Sequence, residues 1–198
     1  MLLPSNKQNT KLFECAGVSR FAYNWTIAKQ KENYKNGGKF LSDYDLRKEF
    51  TKLKQTEKYD WLDNYSRQII NQSIKDACGA YENFFNGRGY PKFKSRKKST
   101  PSFYARESRI QFTETHVKLE KLTNSKKRNK QKLNWIKLAE KNRVPINGKY
   151  YNPRVTFDGL NWWLSVGIEY PDKEKIPSNE GMGIDLGIKD LAVTSNGD

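Results

Sequence analysis

Asp185 lies between Ile184 and Leu186 in Gly181-Met182-Gly183-Ile184-Asp185-Leu186-Gly187, a short apolar strand that runs into a glycine turn and a second strand. In a strand its carboxylate points away from its apolar neighbours, so it is exposed to solvent, paired, or bound to a metal ion. A second chemistry-bearing run is Phe84-Phe85-Asn86-Gly87-Arg88-Gly89-Tyr90-Pro91-Lys92-Phe93-Lys94-Ser95-Arg96-Lys97-Lys98, where aromatic rings alternate with cations. Such a run stacks on bases while neutralising phosphates. In a competing reading Phe84, Phe85 and Phe93 are buried and only the Lys and Arg side chains face outward; the aromatics nearest the preceding helix are expected in the core. A third set is Arg67, Asn71 and Lys75, four residues apart on one line of a helix. Asn and Arg pair in a bidentate way with adenine and guanine, but an exposed polar line is also what any surface helix presents.

Other chemistries are disfavoured by the residues at hand. The chain has 198 residues with one His and two Cys, at positions His116, Cys15 and Cys78. A triad built on His, or a structural zinc site, needs more ligands of these types at close spacing. The two cysteines read as small buried residues, and catalysis would fall to carboxylates.

Charge says more. Of 37 Lys+Arg and 22 Asp+Glu, residues 86 to 149 hold 19 and 4, so this segment carries the whole net charge of +15. A field of that sign and density suits a phosphate backbone, and its binding weakens as salt rises. Ser125-Lys126-Lys127-Arg128-Asn129-Lys130 alone also reads as a basic linker. With 35% apolar and 13% aromatic residues the chain can bury a core. No stretch approaches the roughly 18 apolar residues of a membrane span, and Met1-Leu2-Leu3-Pro4 does not start a leader, so a cytoplasmic protein is expected.

The elements that position these groups follow from periodicity. Residues 6 to 36 predict helix, as two helices broken at Gly17 and ended by Gly37-Gly38. Ser42 with Asp45 predicts a capped start for a helix through about Leu53, with Leu46, Phe50 and Leu53 on one face. From about Asn64 to Asn86, Ile70, Ile74, Ala77, Tyr81 and Phe84 alternate spacings of four and three before Gly87 stops the helix. Beyond it the period becomes two. Ile110 with Phe112 and Val117 with Leu119 predict two strands around a turn at Thr113 to His116, and Trp135 to Leu138 predicts another. Arg154 to Phe157 and Asn161 to Tyr170 flank the hairpin turn Asp158-Gly159, with Trp162, Leu164, Val166, Ile168 and Tyr170 on one face.

Gly183-Ile184-Asp185-Leu186-Gly187-Ile188-Lys189-Asp190-Leu191-Ala192, with Ser195-Asn196-Gly197-Asp198 after it, resembles the first RuvC motif of the TnpB (OrfB) nucleases of insertion sequences. Arg20-Phe21-Ala22-Tyr23-Asn24-Trp25 resembles the family's first helix pair, and Asn83-Phe84-Phe85 with Tyr90-Pro91-Lys92-Phe93-Lys94 its helix-to-barrel junction. Trp162-Trp163-Leu164-Ser165-Val166 resembles its last barrel strand, and Leu2-Leu3-Pro4 the tail of its first wedge strand. The order and spacing of these motifs, over nearly the whole chain, carry the resemblance.

The resemblance implies an α+β chain: a short wedge start and a helical recognition insertion over 1–98, a small β-barrel wedge domain over 99–178, and over 179–198 the first strands of an RNase H-like (RuvC) domain. It implies a guide RNA from the transposon end and a double-stranded target DNA as partners, with sequence readout delegated mostly to the RNA. Asp185 then falls on the first catalytic, metal-binding carboxylate of a site that holds two divalent ions, Mg²⁺ in kind. Arg67, Gln68 and Asn71, with Lys75, fall where the recognition helices approach the target-adjacent motif. Arg88, Tyr90, Lys92, Lys94, Arg96, Lys97 and Lys98 supply nucleic-acid contacts. The family's later Glu and Asp lie downstream of Asp198, so the chain is expected to match an N-terminal portion that binds without cutting and holds no tight Mg²⁺ by itself. A non-catalytic binding module or regulator derived from such a nuclease is the alternative.

Overall fold

The computed structural model describes residues 1–123, 131–169, 184–185 and 193–194. Strand β1, Leu2–Leu3, leads directly into helix α1, Asn6–Lys35. Ser5 caps that helix in a reciprocal box: its hydroxyl accepts from the Gln8 amide, and the Gln8 side chain accepts from the Ser5 amide at 2.9 Å. The Gln8 side-chain amide also donates to the Leu133 and Trp135 carbonyls at 3.0 and 2.7 Å, tying the start of α1 to the β region.

The two helices expected over 6 to 36 are one. Gly17 does not break α1, because the buried positions continue in register across it, from Leu12, Cys15 and Ala16 to Ala22, Ile27 and Gln30. A glycine within a helix costs about 1 kcal/mol, which burying a single such side chain offsets. Helix α2, Asp43–Lys54, starts at the expected Ser42 cap and buries Leu46 and Phe50. A 3₁₀ helix at Glu57–Asn64, with Leu62 buried, separates it from α3, Arg67–Phe85, capped by Ser66. Helix α3 buries Ile70, Ile74, Ala77 and Tyr81 as its spacing requires and packs along α1, where the Ser19 and Ser73 hydroxyls meet at 2.9 Å.

Among the described residues, β1 and six later strands form one antiparallel sheet in the order β2-β6-β7-β1-β5-β4-β3. Here β2 is Ser102–Tyr104, β3 Gln111–Phe112, β4 His116–Lys118, β5 Trp135–Leu138, β6 Tyr150–Phe157 and β7 Trp162–Ile168. Each expected strand pairing is present over the described residues; Tyr170 and the linker run at 125–130 lie outside them. Asp158 closes the β6–β7 hairpin by accepting from the Leu160 and Asn161 amides at 2.8 and 2.7 Å, and Gly159 takes a φ of 110°. Leu2 is flanked by Leu138 and Trp162, so the first strand of the chain completes the middle of the sheet.

The expected closed barrel is not formed. Strands β2 and β3 are consecutive in sequence yet lie at opposite edges of the sheet, and the six residues between them turn through a short 3₁₀ helix at Glu107–Arg109 instead of pairing. The sheet still curls enough for Phe112 of β3 to meet Tyr150 of β6, ring centroids 4.8 Å apart. One hydrophobic cluster runs from Leu12, Phe50 and Ile74 of the helices to Phe103, Ile136 and Trp162 of the sheet. Farther along the sequence, strand β8, Ile184–Asp185, pairs antiparallel with β9, Val193–Thr194.

Candidate nucleic-acid interface

Helix α3 places the first set of predicted residues as its period dictates. Arg67 and Lys75 are exposed, while Gln68 and Asn71 are half-buried. Ser66, the cap, donates to Glu120 at 2.6 Å and so fixes the helix start against the segment after β4. Gln68 lines a groove of about 930 Å³ with Arg106, Trp135, Lys149 and Tyr150, where the curled sheet comes closest to closing.

The loop after α3 begins at Gly87, whose φ of 84° ends the helix, and returns along α1. Its anchor is a residue the sequence did not single out by chemistry. Asn24 of α1 clasps the Lys94 backbone, its Nδ2 donating to the carbonyl and its Oδ1 accepting from the amide, both at 2.8 Å. Lys94 itself is turned inward: its Nζ stands over the Tyr23 ring at 4.1 Å, and burial holds its ammonium below the usual lysine range. Nearby Asp76 counters that shift and Arg154 adds to it. The Asp76 carboxylate in turn pairs with Arg154 at 3.1 Å, which a bulge in β6 beside Asn152 aims at α3. Lys94 is therefore a partly buried anchor, unlike Arg88, Lys92, Arg96, Lys97 and Lys98, which are exposed.

The expectation that the aromatics next to α3 are core is overturned. Phe84, Phe85, Tyr90 and Phe93 are 37, 62, 45 and 52% exposed. Tyr81 is the last ring that α1 covers; beyond it the rings pack mainly on one another, with Phe84 and Tyr90 centroids 5.0 Å apart and Phe40 and Phe85 5.6 Å apart. Lys31 of α1 stands over Tyr90 and Phe93 at 5.3 and 4.8 Å. An exposed ring beside a cation is the element that base stacking uses.

The structure does not gather all the predicted residues at one point. Arg67 and Arg88 stand near opposite ends of α3, which at 19 residues is about 28 Å long. Between them the returning loop passes Asp76, one residue beyond Lys75, so the two sets form a band instead of a pocket. Among the described residues the cations of this band are free of carboxylate partners, as are Lys7, Arg20, Lys31 and several others on the helical surface. Lys11, Lys29, Arg47 and Lys54 each pair with a carboxylate, whereas Arg67, Lys75, Arg88, Lys92, Arg96, Lys97 and Lys98 have no such partner among the described residues.

The remaining candidates are quickly placed. Burial pushes the Cys15 thiol up to about 12 and the Cys78 thiol up to about 11, so neither is a nucleophile or ligand near neutral pH. Asp185 opposes Val193 in the β8–β9 ladder; its side chain lies outside what is described. No group of three His, Cys, Asp or Glu among the described residues is placed to hold a metal ion. No helix among them is long and apolar enough to cross a membrane.

A band of unpaired cations beside exposed rings is a surface whose chemistry suits nucleic acid, and comparison with known proteins gives the chain a family context. A family described as a helix-turn-helix domain, of the OrfB IS605 kind, matches residues 1–39. In this structure that span holds β1 and the single helix α1; the next helix, α2, begins at Asp43, after it. Over 198 residues, 99% of this chain, there is 27% identity to the "Putative RNA-guided DNA endonuclease InsQ" of Escherichia coli, and the match covers 46% of that protein. A "Putative RNA-guided DNA endonuclease" of Streptomyces pristinaespiralis is 26% identical over 196 residues, covering 98% of this chain and 46% of that protein. The chain spans about half the length of the curated relatives it matches. The resemblance to the TnpB (OrfB) family thus extends along the whole chain.

Proposed function

We propose that this chain acts as the nucleic-acid-binding amino-terminal part of a TnpB-type RNA-guided DNA endonuclease, in the cytoplasm, with a guide RNA from its transposon end and a double-stranded DNA target as partners. The observation that carries the reading is the band of unpaired cations from α3 through the 88–98 loop, in a chain similar along 99% of its length to a protein named for that activity. In this reading residues 1–98 recognise, 99–178 form the wedge, and 179–198 open the RuvC domain. Exposed Arg67 and Lys75 hold phosphates, and Gln68 and Asn71 reach toward the motif beside the target. Tyr90, with Phe85 and Phe93, stacks on unpaired bases.

Asp185 is proposed as the first of the catalytic carboxylates, which with partners elsewhere would hold Mg²⁺. A single carboxylate does not make a site for two divalent ions, and no step through a metal follows from the described residues. Binding without cleavage is the expected behaviour. Fluorescence-anisotropy titration of the purified chain with labelled duplex DNA and with structured RNA, repeated over a salt series, tests the reading. A steep fall in affinity with salt, corresponding to about four or more phosphates, supports it. Binding that is absent at low salt refutes it.

A further inference from the structure

Gly17 stands in the middle of a 30-residue helix, where glycine costs about 1 kcal/mol relative to alanine. Packing does not ask for it: a Cβ at this position would meet nothing within 4 Å. The open space is the floor of a groove of about 530 Å³ between α1 and the segment that the Asn24 clasp holds beside it. Arg20, Lys94 and Arg96 line this groove together with Ser99 and Thr100. Arg20 and Arg96 have no ion-pair partner among the described residues, and the one carboxylate present, Glu14, is already engaged by Lys11 and by the Tyr65 hydroxyl at 3.0 Å. The groove therefore offers cations and hydroxyls, beside the apolar Phe13, Ala16 and Pro101, over a floor that carries no side chain at Gly17.

We propose that this groove seats a phosphodiester segment of a bound nucleic-acid strand, with Gly17 leaving room for the sugar–phosphate backbone to lie directly against α1. The proposal deepens the reading above and rests on it. Glycine serves here as it does wherever a backbone must approach a ligand closely, while Arg20 and Arg96 supply charge-assisted contacts to the phosphate oxygens. Free phosphate shares the chemistry and is separated from a strand by the test.

The test compares the parent chain with Gly17→Ala, Gly17→Leu and Arg20→Gln, by thermal unfolding and by titration with labelled duplex DNA and structured RNA. Gly17→Ala should unfold at the same or a higher temperature, since it gains helix propensity and meets no neighbour. Gly17→Leu should fill the groove and weaken binding by roughly tenfold or more, and Arg20→Gln should weaken it by several-fold, the loss expected for one charged contact. Stability and affinity thus move apart, which a purely structural glycine would not produce. Parent-like binding by a folded Gly17→Leu overturns the proposal, as does parent-like binding by Arg20→Gln should Gly17→Leu not fold. Displacement of the labelled strand by inorganic phosphate at constant ionic strength makes the groove a free-phosphate site and also overturns it. A parent chain that binds no nucleic acid sinks the functional reading itself, an outcome distinct from indifference of these variants.

Discussion

Glutamine at Arg88, Lys92, Arg96, Lys97 and Lys98 together is expected to weaken nucleic-acid binding by roughly 100-fold at moderate salt and to flatten its salt dependence by up to about 4.5 units of logarithmic slope. The reasoning is electrostatic. These side chains are exposed and without ion-pair partners among the described residues, so their charge is free to displace counterions from a phosphate backbone. Every phosphate left without its cation lowers the slope by about 0.9 on duplex DNA. The fold should be indifferent, since substitutions of exposed, unpaired groups change stability by at most about 0.5 kcal/mol. Lys94 is left out on purpose. Its side chain is partly buried over Tyr23 and its backbone is held by Asn24, so removing it alters the loop's seat as well as its charge. Titrations over a salt series check the prediction; an unchanged slope would show that the loop does not meet phosphates.

Trp162→Ala is expected to cost about 3–5 kcal/mol of folding free energy and to lower the unfolding temperature by about 10 °C. This side chain, 2% exposed, joins three parts of the molecule. Its strand position opposes Leu2 of β1, its ring lies 4.9 Å from Phe13 of α1 and 5.1 Å from Phe157 of β6, and its Nε1 donates to Asn9 at 2.7 Å. Truncation opens a cavity where helix and sheet meet and leaves the Asn9 oxygen without its donor. The neighbouring Trp163 is the control, because it points to the other face, is 44% exposed and, among the described residues, has its side chain bonded through Nε1 to Asp158 at the turn. Trp163→Ala should cost less than about 1 kcal/mol. Chemical denaturation of the two variants side by side provides the comparison, and equal losses would contradict the placement of the core.

What the sequence revealed, and what it hid, divides by range of interaction. Helix α3 and the β6–β7 hairpin were legible because their signals are local: apolar spacing of four and three up to Gly87, and alternation on both sides of Asp158-Gly159. The continuity of α1 was not, because Gly17 weakens the local preference while the packing that overrides it comes from α3 and the sheet. The open sheet was equally hidden. Whether β2 meets β3 depends on six intervening residues, and those fold as a short 3₁₀ turn. In the candidate interface, residue types announced the cations, but not their division into exposed groups and the inward Lys94. That division is set by Asn24, 70 residues away in sequence, with no local mark of its contact. The exposed Phe84 and Phe85 were likewise beyond reach of the pattern, since periodicity shows which side of a helix is apolar and not where the covering helix ends.

The central claim is that the band from α3 through the 88–98 loop serves RNA-guided recognition. Recovering this chain from its native cells under moderate salt and sequencing the RNA that accompanies it tests this most directly. The account expects one RNA species, encoded beside the chain's own gene, to be strongly enriched, and to disappear when the five loop cations are replaced. Recovery of RNA without preference, released as the salt is raised, would reduce the band to a general polyanion surface and contradict the claim.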